Sequence, residues 1–458
     1  MKMKDYQHVY FLGIGGIGMS AIARYFMMQG CKVSGYDRTR TKLTEQLEAE
    51  GIHIDFDEAA DLIPQGLDLV VYTPAIPKDH KGYLYLLTIG IQMLKRSEVL
   101  GIISNAMTSV GIAGTHGKTT TSSMVAHVLK VGGKEISAFL GGIVSDYGTN
   151  YLVGKSDIVV LEADEYDRSF LTLHPYIASI SSMDADHLDI YGDEKEMHQG
   201  FIKYAQQIKV AGYLIIKAGL LDFFDKSDLE NLADKGVTIL EFGEDQGQVQ
   251  FSNLRVVDGN FCFDYHGLKT EMKDIVLSMP GLHNVENATV AITVGLIFGV
   301  NVENIKKAMS GFKGIQRRFE RVISTNGITY IDDYAHHPSE LHAAISAARR
   351  LYPDRKISGI FQPHLYSRTR DFVDGFAKAL DEFDEVFLME IYPARELPIP
   401  SVTSGIVFDL MKSNHKTLVT KDNLMEVLES SVIDVLMTLG AGDIDTFVPK
   451  IKKWIEEK

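Results

Sequence analysis

The sequence predicts an α/β protein with three domains in series. Three observations predict it: the chain length, the alternation of short apolar runs with helical patterns, and two glycine-rich turns that each join a strand to a helix. The chain has 458 residues, which at roughly 150 residues per domain suggests about three domains. Short apolar strands that alternate with helices are typical of parallel sheets covered by helices.

The first domain is predicted over residues 1–106 and has a Rossmann-like, nucleotide-binding pattern. Its predicted elements, in chain order, are the strand Val9–Ile14, the helix Met19–Gln29, the strand Lys32–Tyr36, the helix Thr41–Glu50 and the strand Leu67–Tyr72. The strands are short apolar runs, and the helices carry apolar residues at helical spacing. This pattern ends near Ser104–Thr108.

The central domain, predicted over residues 107–315, is P-loop ATPase-like with added antiparallel strands. Its predicted elements are the strand Ser109–Ala113, the helix Lys118–Val131, the strands Asp157–Leu161 and Tyr176–Ser182, a hairpin over Val249–Tyr265, and the helices Val285–Phe298 and Val302–Met309. Apolar and polar residues that alternate around Asp258-Gly259-Asn260 predict the hairpin. The turn residues Gly311 and Gly314 precede the boundary near Gln316.

The third domain, predicted over residues 316–458, repeats the alternation and is again Rossmann-like. Its predicted strands are Ile328–Ile331, Ile357–Phe361, Glu385–Glu390 and Asp434–Leu439, and its predicted helices are Pro338–Arg350, Asp371–Phe383 and Phe447–Glu457.

Composition excludes several classes of protein. The chain has 46 Lys and Arg against 61 Asp and Glu, for a net charge of −15, which disfavours non-specific binding to nucleic acid or to an anionic membrane surface. No apolar run approaches the roughly 18 residues of a membrane span, so we expect no membrane insertion. Two cysteines, Cys31 and Cys262, are too few for a disulfide framework and fit a reducing, cytoplasmic compartment.

The first chemical motif is the segment Gly13-Ile14-Gly15-Gly16-Ile17-Gly18. It follows a predicted strand, opens a predicted helix, and has Asp37 at the end of the next strand, 19 residues after Gly18. Glycines permit a tight turn and a close approach of the backbone, and amides at the helix N-terminus can meet a pyrophosphate. The motif predicts a site for a pyrophosphate or nucleotide, without deciding which.

The second motif is the segment Gly114-Thr115-His116-Gly117-Lys118-Thr119-Thr120, again between a strand and a helix. The loop amides and Lys118 would cradle a triphosphate, and the hydroxyl of Thr119 could ligate Mg²⁺. The strict pattern fails at Ile112, where it requires glycine. Because a loop lysine is rarely packed, we expect Lys118→Ala to fold normally and to lose at least about a hundredfold in turnover.

Acidic residues end two strands of the central domain. One strand runs into Glu162-Ala163-Asp164-Glu165, and the other into Asp184-Ala185-Asp186-His187. Because ligands gather at the carboxyl ends of parallel strands, these acids are expected to face the phosphate loop and to hold a metal. A lone histidine such as His187 is more often a packed residue than a ligand.

A fourth group of residues lies around the second boundary. His283-Asn284-Val285-Glu286-Asn287 begins a predicted helix, so Asn284 could simply be its N-cap. Arg317-Arg318, Asp332–Pro338 and Arg368-Thr369-Arg370 are charged segments that singly fit solvated turns. Together they suit a cleft for anionic substrates.

Taken together, these segments resemble the Mur ligase family, which builds bacterial cell-wall peptides. The resemblance covers nearly the whole chain and is most specific in Gly114–Thr120, Glu162–Asp167, Asp186–Asp189, His283–Asn287, Arg318 and Asp333–Pro338. It implies an ATP- and Mg²⁺-dependent enzyme that activates the lactyl carboxylate of UDP-N-acetylmuramate as an acyl phosphate. The segments Gly13–Ser20 and Thr115-His116-Gly117 imply L-alanine as the amine, and attachment of a recycled tripeptide to the same nucleotide is the alternative.

The resemblance also implies roles for individual residues. Lys118 would stabilise the transferring phosphoryl group, Thr119 and Glu162 would bind the first Mg²⁺, and His187 would help Glu162 to hold a second. The ATP site would comprise Gly114, Thr115, His116, Gly117, Lys118, Thr119, Thr120, His283, Asn284, Asn287, Arg318 and Asp333, with Arg318 and Asp333 also counted as catalytic. The UDP part would bind at Gly13, Gly15, Gly16, Gly18, Asp37 and Thr73. Arg368 and Arg370 would hold the alanine carboxylate.

One residue of the family pattern is absent. Several Mur ligases bridge to the second metal with a carbamylated lysine, which their pattern places 15 residues after Asp186, where this chain has Phe201. Lys203 lies two helical positions further, turned about 200° away. We therefore expect an enzyme that needs no carbamate.

Functions of other classes remain open on the residues alone. The first glycine motif alone would suit an NAD-dependent oxidoreductase, the second alone a P-loop ATPase or switch, and a protein that only binds nucleotide is a third reading. Hydride transfer needs no γ-phosphate site, so the second motif argues against a simple dehydrogenase.

Overall fold

The structure is a computed structural model that describes residues 6–184, 191–394 and 396–458. It confirms the predicted α/β class with three sheets, whose strands lie within residues 8–95, 108–277 and 320–439. Asp186, His187 and Asp189 lie outside the described residues. No helix of the described chain is both long and apolar enough to cross a membrane.

The first sheet has five parallel strands in the order β3-β2-β1-β4-β5. Its strands are β1 His8–Leu12, β2 Lys32–Tyr36, β3 His53–Asp55, β4 Leu69–Tyr72 and β5 Met93–Lys95, and its helices are α1 Ile17–Met28, α2 Lys42–Ala49, α3 Lys81–Thr88 and α4 Arg96–Ala106. β1 is buried along its whole length because it pairs on both sides. The strand order reverses at β1, which opens a crevice at the carboxyl edge where ligands of such sheets bind.

The second sheet has ten strands in the order β15-β14-β13-β12-β11-β10-β6-β9-β7-β8. The strands are β6 Thr108–Ala113, β7 Ser137–Val144, β8 Thr149–Leu152, β9 Ile158–Glu162, β10 Ile177–Ile180, β11 Tyr213–Lys217, β12 Thr238–Glu244, β13 Val249–Val257, β14 Asn260–Gly267 and β15 Thr270–Leu277. The helices are α5 Lys118–Val131, α6 Glu194–Gln206, α7 Lys226–Asp234, α8 Leu282–Ile297 and α9 Val302–Gly311. β6 lies between the parallel strands β9 and β10, so the loop after β6 opens between the two acidic strand ends.

The third sheet has six strands in the order β16-β17-β21-β18-β19-β20, in which only β16 is antiparallel to its neighbour. Its strands are β16 Glu320–Thr325, β17 Ile328–Asp333, β18 Ile357–Phe361, β19 Glu385–Met389, β20 Lys416–Val419 and β21 Val435–Leu439. Its helices are α10 Pro338–Leu351, α11 Tyr366–Asp371, α12 Val373–Leu380, α13 Ser404–Leu410, α14 Leu424–Glu429 and α15 Val448–Glu457.

The chain folds as two compact units. The first comprises the described parts of Met1–Ser252 together with Asp264–Ile275 and Glu286–Gly311, and the second comprises Asn253–Phe263, Val276–Val285 and the described parts of Phe312–Lys458. The predicted domain boundaries at 106/107 and 315/316 stay predictions.

The structure confirms one predicted local element and changes the bounds of two others. The hairpin turn is confirmed, because Asp258 and Gly259 both have positive φ (48° and 71°), as a two-residue hairpin turn requires. The helix predicted from Val285 begins at Leu282 instead, so Asn284 is not its N-cap. The helix predicted over Asp371–Phe383 is shorter and runs over Val373–Leu380. A separate helix that was not predicted, Tyr366–Asp371, precedes it, and the two are divided at Phe372, whose φ and ψ of −117° and 24° are not helical.

Candidate functional site

The loop Gly114–Thr120 joins the centre of the second sheet to α5. Gly114 and Gly117 have φ of 140° and 79°, a region that side chains strongly disfavour. A Cβ on Gly114 would lie 2.4 Å from the Ser181 hydroxyl, and one on Gly117 would lie 2.8 Å from Oδ1 of Asn287. Both positions therefore require glycine, which leaves the backbone of the loop bare at the start of the helix.

Neighbouring elements fix the shape of this loop. The amide of His116 donates to the Ser182 hydroxyl at 3.0 Å, and the Thr115 hydroxyl donates to the same oxygen at 2.9 Å. On the other side, the Thr121 hydroxyl donates to Oδ1 of Asn287 at 2.8 Å. The structure thus brings the predicted residue Asn287 to the loop, where it fixes the first turn of α5.

The sequence predicted that Lys118 projects from an unpacked loop, but in the structure it does not. Its side chain is only 14% exposed, and Nζ donates to both carboxylate oxygens of Glu165 (2.8 and 2.7 Å) and to the carbonyl of Gly114 (2.9 Å). Burial lowers the pKa of Lys118, but the carboxylates, Glu165 first, raise it more, so the ammonium form is favoured. The premise that this lysine is unpacked is wrong, because it belongs to a buried ion pair.

Thr119 and Glu162 form an oxygen-lined cradle beside that pair. The Thr119 hydroxyl donates to the Glu162 carboxylate at 3.0 and 3.2 Å. Gly141, on β7, keeps the space open, because a Cβ there would lie 2.0 Å from Oε2 of Glu162. Hydroxyl and carboxylate oxygens are the donors that Mg²⁺ prefers. Among the residues described, no cluster of three or more His, Cys, Asp or Glu could hold a metal, and His187 lies outside them.

The glycine-rich loop after β1 is fixed by the ends of β2 and β4. A Cβ on Gly13 (φ 84°) would lie 2.6 Å from the Thr73 methyl group, so Thr73 packs directly against the loop. The Gly15 amide donates to Asp37 at 2.7 Å, and the other oxygen of Asp37 accepts from the Thr39 amide at 3.1 Å. Asp37 therefore orders the loop itself, and its contact with a ribose stays a prediction.

Arg96, which the sequence analysis did not single out, lies over the same loop. A Cβ on Gly18 would come 2.3 Å from Nη1 of Arg96, and Nη2 lies 3.5 Å from Asp164. The guanidinium thus stands beside the start of α1, whose first turn contains no acidic residue. Arg96 directly follows β5, and a position at the end of a parallel strand could have marked it as a site residue. β5 has only three residues, however, and such a short apolar run cannot be recognised as a strand from the sequence.

In the second unit, His283 and Asn284 lie in the first turn of α8. His283 is exposed. Gly281 has φ of 107°, and a Cβ on it would lie 2.6 Å from the imidazole of His283. Asn284 is buried and donates to the Pro280 carbonyl at 2.6 Å, so it secures the turn before the helix. Among these residues, His283 presents its side chain to solvent and Asn284 does not.

Asp333, at the end of β17, braces the loop that carries Arg318. Its carboxylate accepts from the amides of Ala335 (2.7 Å) and Phe319 (2.6 Å). Burial raises the pKa of Asp333 to about 6, while Arg318 and these two N–H donors limit the rise. The structure therefore groups Arg318 and Asp333, as expected, and gives Asp333 a structural role as well.

The neighbouring arginines Arg317 and Arg318 differ in their surroundings. Arg317 donates to Asp332 at 3.1 Å and to the Gly440 carbonyl at 2.7 Å, which commits its guanidinium to the fold. Arg318 lies 5.2 Å from the ring centre of Tyr334 and makes no direct ion pair with any residue that the structure describes. Arg318 is therefore the arginine of the two that is available to an anionic ligand.

The structure does not bring Arg368 and Arg370 together on one face. Both lie on α11, where residues two apart point about 200° apart. Arg368 is half-buried, whereas Arg370 is exposed and pairs with the adjacent Asp371 at 2.7 Å. Only Arg368 therefore faces the protein.

Three family models match the chain in succession. They are described as the Mur ligase family, catalytic domain (residues 8–108), the Mur ligase middle domain (residues 112–295) and the Mur ligase, glutamate ligase domain (residues 317–442). Each matched segment contains one of the three sheets almost entirely.

Individual relatives match over the full length. The UDP-N-acetylmuramate–L-alanine ligases of Flavobacterium johnsoniae and Phocaeicola vulgatus are 45% and 43% identical to this chain, and each match covers 100% of both sequences. Among solved structures, the UDP-N-acetylmuramate-alanine ligase of Thermotoga maritima has a TM-score of 0.82 at 28% identity and covers 99% of this chain and 100% of its own. A murein peptide ligase of Psychrobacter arcticus has a TM-score of 0.69 at 23% identity, covers 99% of both chains, and shares the fold.

Proposed function

Because this chain belongs to the Mur ligase family, we propose that it joins L-alanine to the lactyl carboxylate of UDP-N-acetylmuramate in an ATP-dependent reaction of peptidoglycan precursor synthesis. The observation that carries the chemistry is the loop Gly114–Thr120, with Lys118 and Thr119 paired to the acidic end of β9. Full-length relatives at 42–45% identity support L-alanine as the amine. The chain's similarity to a peptide ligase extends only to the fold, so the tripeptide alternative is not favoured.

The proposed reaction has two steps. A carboxylate oxygen of UDP-N-acetylmuramate attacks the γ-phosphorus of ATP, and the bond to the β,γ-bridging oxygen breaks, which gives an acyl phosphate and ADP. The amine of L-alanine then attacks the acyl carbon, loses a proton and expels phosphate, which leaves the amide. Phosphoryl transfer of this kind depends on positioning and charge neutralisation rather than on a covalent protein group.

In this proposal the central domain binds the triphosphate. Lys118 would stabilise the transferring phosphoryl group, and Asn287 would fix the loop. The donor set fits Mg²⁺, because Thr119 and Glu162 present oxygens around the space that Gly141 leaves open. When bound there, Mg²⁺ would neutralise part of the charge on the phosphates. The assignment of His187 to a second ion stays a proposal from the family resemblance.

The remaining site residues are assigned by their surroundings. We assign the UDP pyrophosphate to Gly13, Gly15, Gly16 and Gly18 with Thr73, since glycine keeps the loop backbone accessible. Arg318 and the exposed His283 are assigned to the ATP site, and Asp333 positions the loop of Arg318. Asn284 is assigned to that site only from the family resemblance, because its side chain is bonded to the Pro280 carbonyl. Arg368 alone is assigned to the alanine carboxylate, because Arg370 is exposed and paired with Asp371.

The structure supports an enzyme without a carbamylated lysine. Phe201 is fully buried on α6 and packs edge-on against Phe170 with ring centres 5.3 Å apart. Lys203 is exposed. Phe201 cannot carry a carbamate, and its packing fixes the rotation of the helix, so Lys203 cannot take its place.

A phosphate-release assay tests the proposed function. Release should require ATP, UDP-N-acetylmuramate and L-alanine together, and the nucleotide product should gain the mass of one alanine residue. Release with the tripeptide but not with L-alanine would select the peptide ligase instead. Reduction of NAD without phosphate release would support the oxidoreductase.

We also propose that the protein works in the cytoplasm. Its two cysteines, Cys31 and Cys262, are both buried free thiols, which fits a reducing compartment.

A further inference from the structure

We propose that Glu165 competes with the phosphates of the nucleotide for the ammonium of Lys118, so that this carboxylate limits the affinity of the site for a triphosphate. The inference rests on the proposed function, since it takes Gly114–Thr120 as the triphosphate loop. It adds a positioning residue that acts through Lys118 rather than by touching the substrate.

All the hydrogen-bond donors of the Lys118 ammonium are already engaged. A lysine ammonium has three N–H donors. In Lys118 one faces the Gly114 carbonyl at 2.9 Å and the other two face the Glu165 oxygens at 2.8 and 2.7 Å. A phosphate oxygen can therefore gain a bond from Lys118 only if one of these acceptors gives one up.

Glu165 is held in place and cannot easily leave the site. Its side chain is 1% exposed, and its backbone carbonyl accepts from the Tyr191 hydroxyl at 2.7 Å. The 3₁₀ turn Tyr166–Thr172 begins at the next residue, which fixes the chain direction. When the lysine turns to a phosphate, a carboxylate held in this way cannot move out to be hydrated by water.

The charges around Lys118 also oppose its transfer to a phosphate. Glu162, Asp164 and Glu165 put three carboxylates at one strand end, beside a loop that is to hold a polyanion. Thr119 accompanies Glu162, and Arg96 lies 3.5 Å from Asp164, but the counter-ion of Glu165 is Lys118 itself. When Lys118 turns to the phosphates, Glu165 is left as a buried anion facing another anion, which weakens binding.

Glu165→Gln separates this competition from a merely structural role. Glutamine keeps the size of the side chain and one acceptor oxygen, but it removes the charge that holds the lysine. We expect a non-hydrolysable ATP analogue with a β,γ-methylene bridge to bind about tenfold more tightly to Glu165→Gln than to the unaltered protein. AMP, which has no β- or γ-phosphate, should bind equally to both.

The measurement is isothermal titration calorimetry of the full chain with MgCl₂ present, together with thermal unfolding to verify folding. Glu230→Gln is the matched control, because Glu230 is an exposed glutamate paired with Lys226 on α7, and its affinities should not change. In a Lys118→Met background Glu165 has lost its counter-ion and takes up a proton to stay buried. Glu165→Gln should therefore have no effect on the analogue in that background. Glu165→Asp draws the carboxylate back from Nζ, so it should also raise the affinity for the analogue, but by a smaller factor. It replaces Glu165→Gln in the test if the glutamine variant does not fold.

Three outcomes would overturn the inference: an unchanged or weaker affinity for the analogue in a folded variant, an equal gain for AMP, or a gain that persists without Lys118. Failure of the unaltered protein to bind the analogue at all would instead count against the proposed function.

Discussion

Replacement of Lys118 by alanine should destabilise the protein as well as inactivate it. Lys118 and Glu165 form a buried pair in which the lysine is 14% exposed and the glutamate 1% exposed. Lys118→Ala removes the ammonium and leaves the carboxylate without its counter-ion. Turnover should fall by at least about a hundredfold, because the charge aimed at the transferring phosphoryl group is lost.

The size of the stability loss follows from the proton that Glu165 must then take up. Burial already raises the pKa of Glu165 above its ordinary value of 4.5. Neutralising a carboxyl group costs on the order of 1 kcal/mol for each pH unit above that ordinary pKa, hence roughly 3 kcal/mol at pH 7 and well under 1 kcal/mol at pH 5. Because the folded variant then holds a proton that the unfolded chain releases, its stability relative to the unaltered protein should fall as pH rises.

Urea unfolding at pH 7 and pH 5 without nucleotide measures this loss. Circular dichroism is the suitable signal, because the single tryptophan, Trp454, lies in the third predicted domain and far along the chain from the pair. The double variant Lys118→Met with Glu165→Gln should recover most of the stability at pH 7 but none of the turnover. If Lys118→Ala is as stable as the unaltered protein at pH 7, or equally destabilised at both pH values, the reasoning is refuted.

Three further predictions concern the other sites. Gly15→Val should raise the KM for UDP-N-acetylmuramate at least about tenfold and leave the KM for ATP unchanged, because a Cβ there would lie within 2.8 Å of neighbouring side chains. Phosphate-release titrations measure both constants, and two unchanged KM values would refute the prediction. Lys203→Ala should stay active, and removal of carbon dioxide and bicarbonate should not change the rate; a folded but inactive variant rescued by a short-chain carboxylate would contradict this. Arg368→Ala should raise the KM for L-alanine at least about tenfold and Arg370→Ala less than twofold; the reverse order in initial-rate assays would remove Arg368 from the alanine site.

Much of the fold could be predicted because its central elements carry strong local signals. The strands Lys32–Tyr36 and Ile357–Phe361 and the helix Lys118–Val131 have the predicted bounds, since each is an apolar or periodic run ended by a turn residue. β3 and β5 were missed because strands of three residues carry no readable period. The ten-stranded sheet could not be predicted, because the pairing of β12 with β13 depends on contacts that no local pattern records.

The candidate site also has features that could be predicted from the sequence and features that could not. The glycine loops and the pairing of Thr119 with Glu162 follow from strand–turn–helix patterns and from the rule that ligands gather at carboxyl ends of strands. The partner of Lys118 does not, because the sequence offers several acids and the one chosen is 47 positions away. Arg368 and Arg370 are close in sequence, which led to the prediction that both hold one carboxylate. They lie on the same helix two positions apart, so helix geometry points their side chains in different directions.

The measurement that tests the central claim most directly follows oxygen from the carboxylate to phosphate. UDP-N-acetylmuramate labelled with ¹⁸O in its lactyl carboxylate is incubated with the protein, ATP and L-alanine, and the released phosphate is analysed by mass spectrometry. An acyl-phosphate route predicts ADP as the nucleotide product and one carboxylate oxygen in each phosphate released. Phosphate without the label, or AMP in place of ADP, would contradict the account.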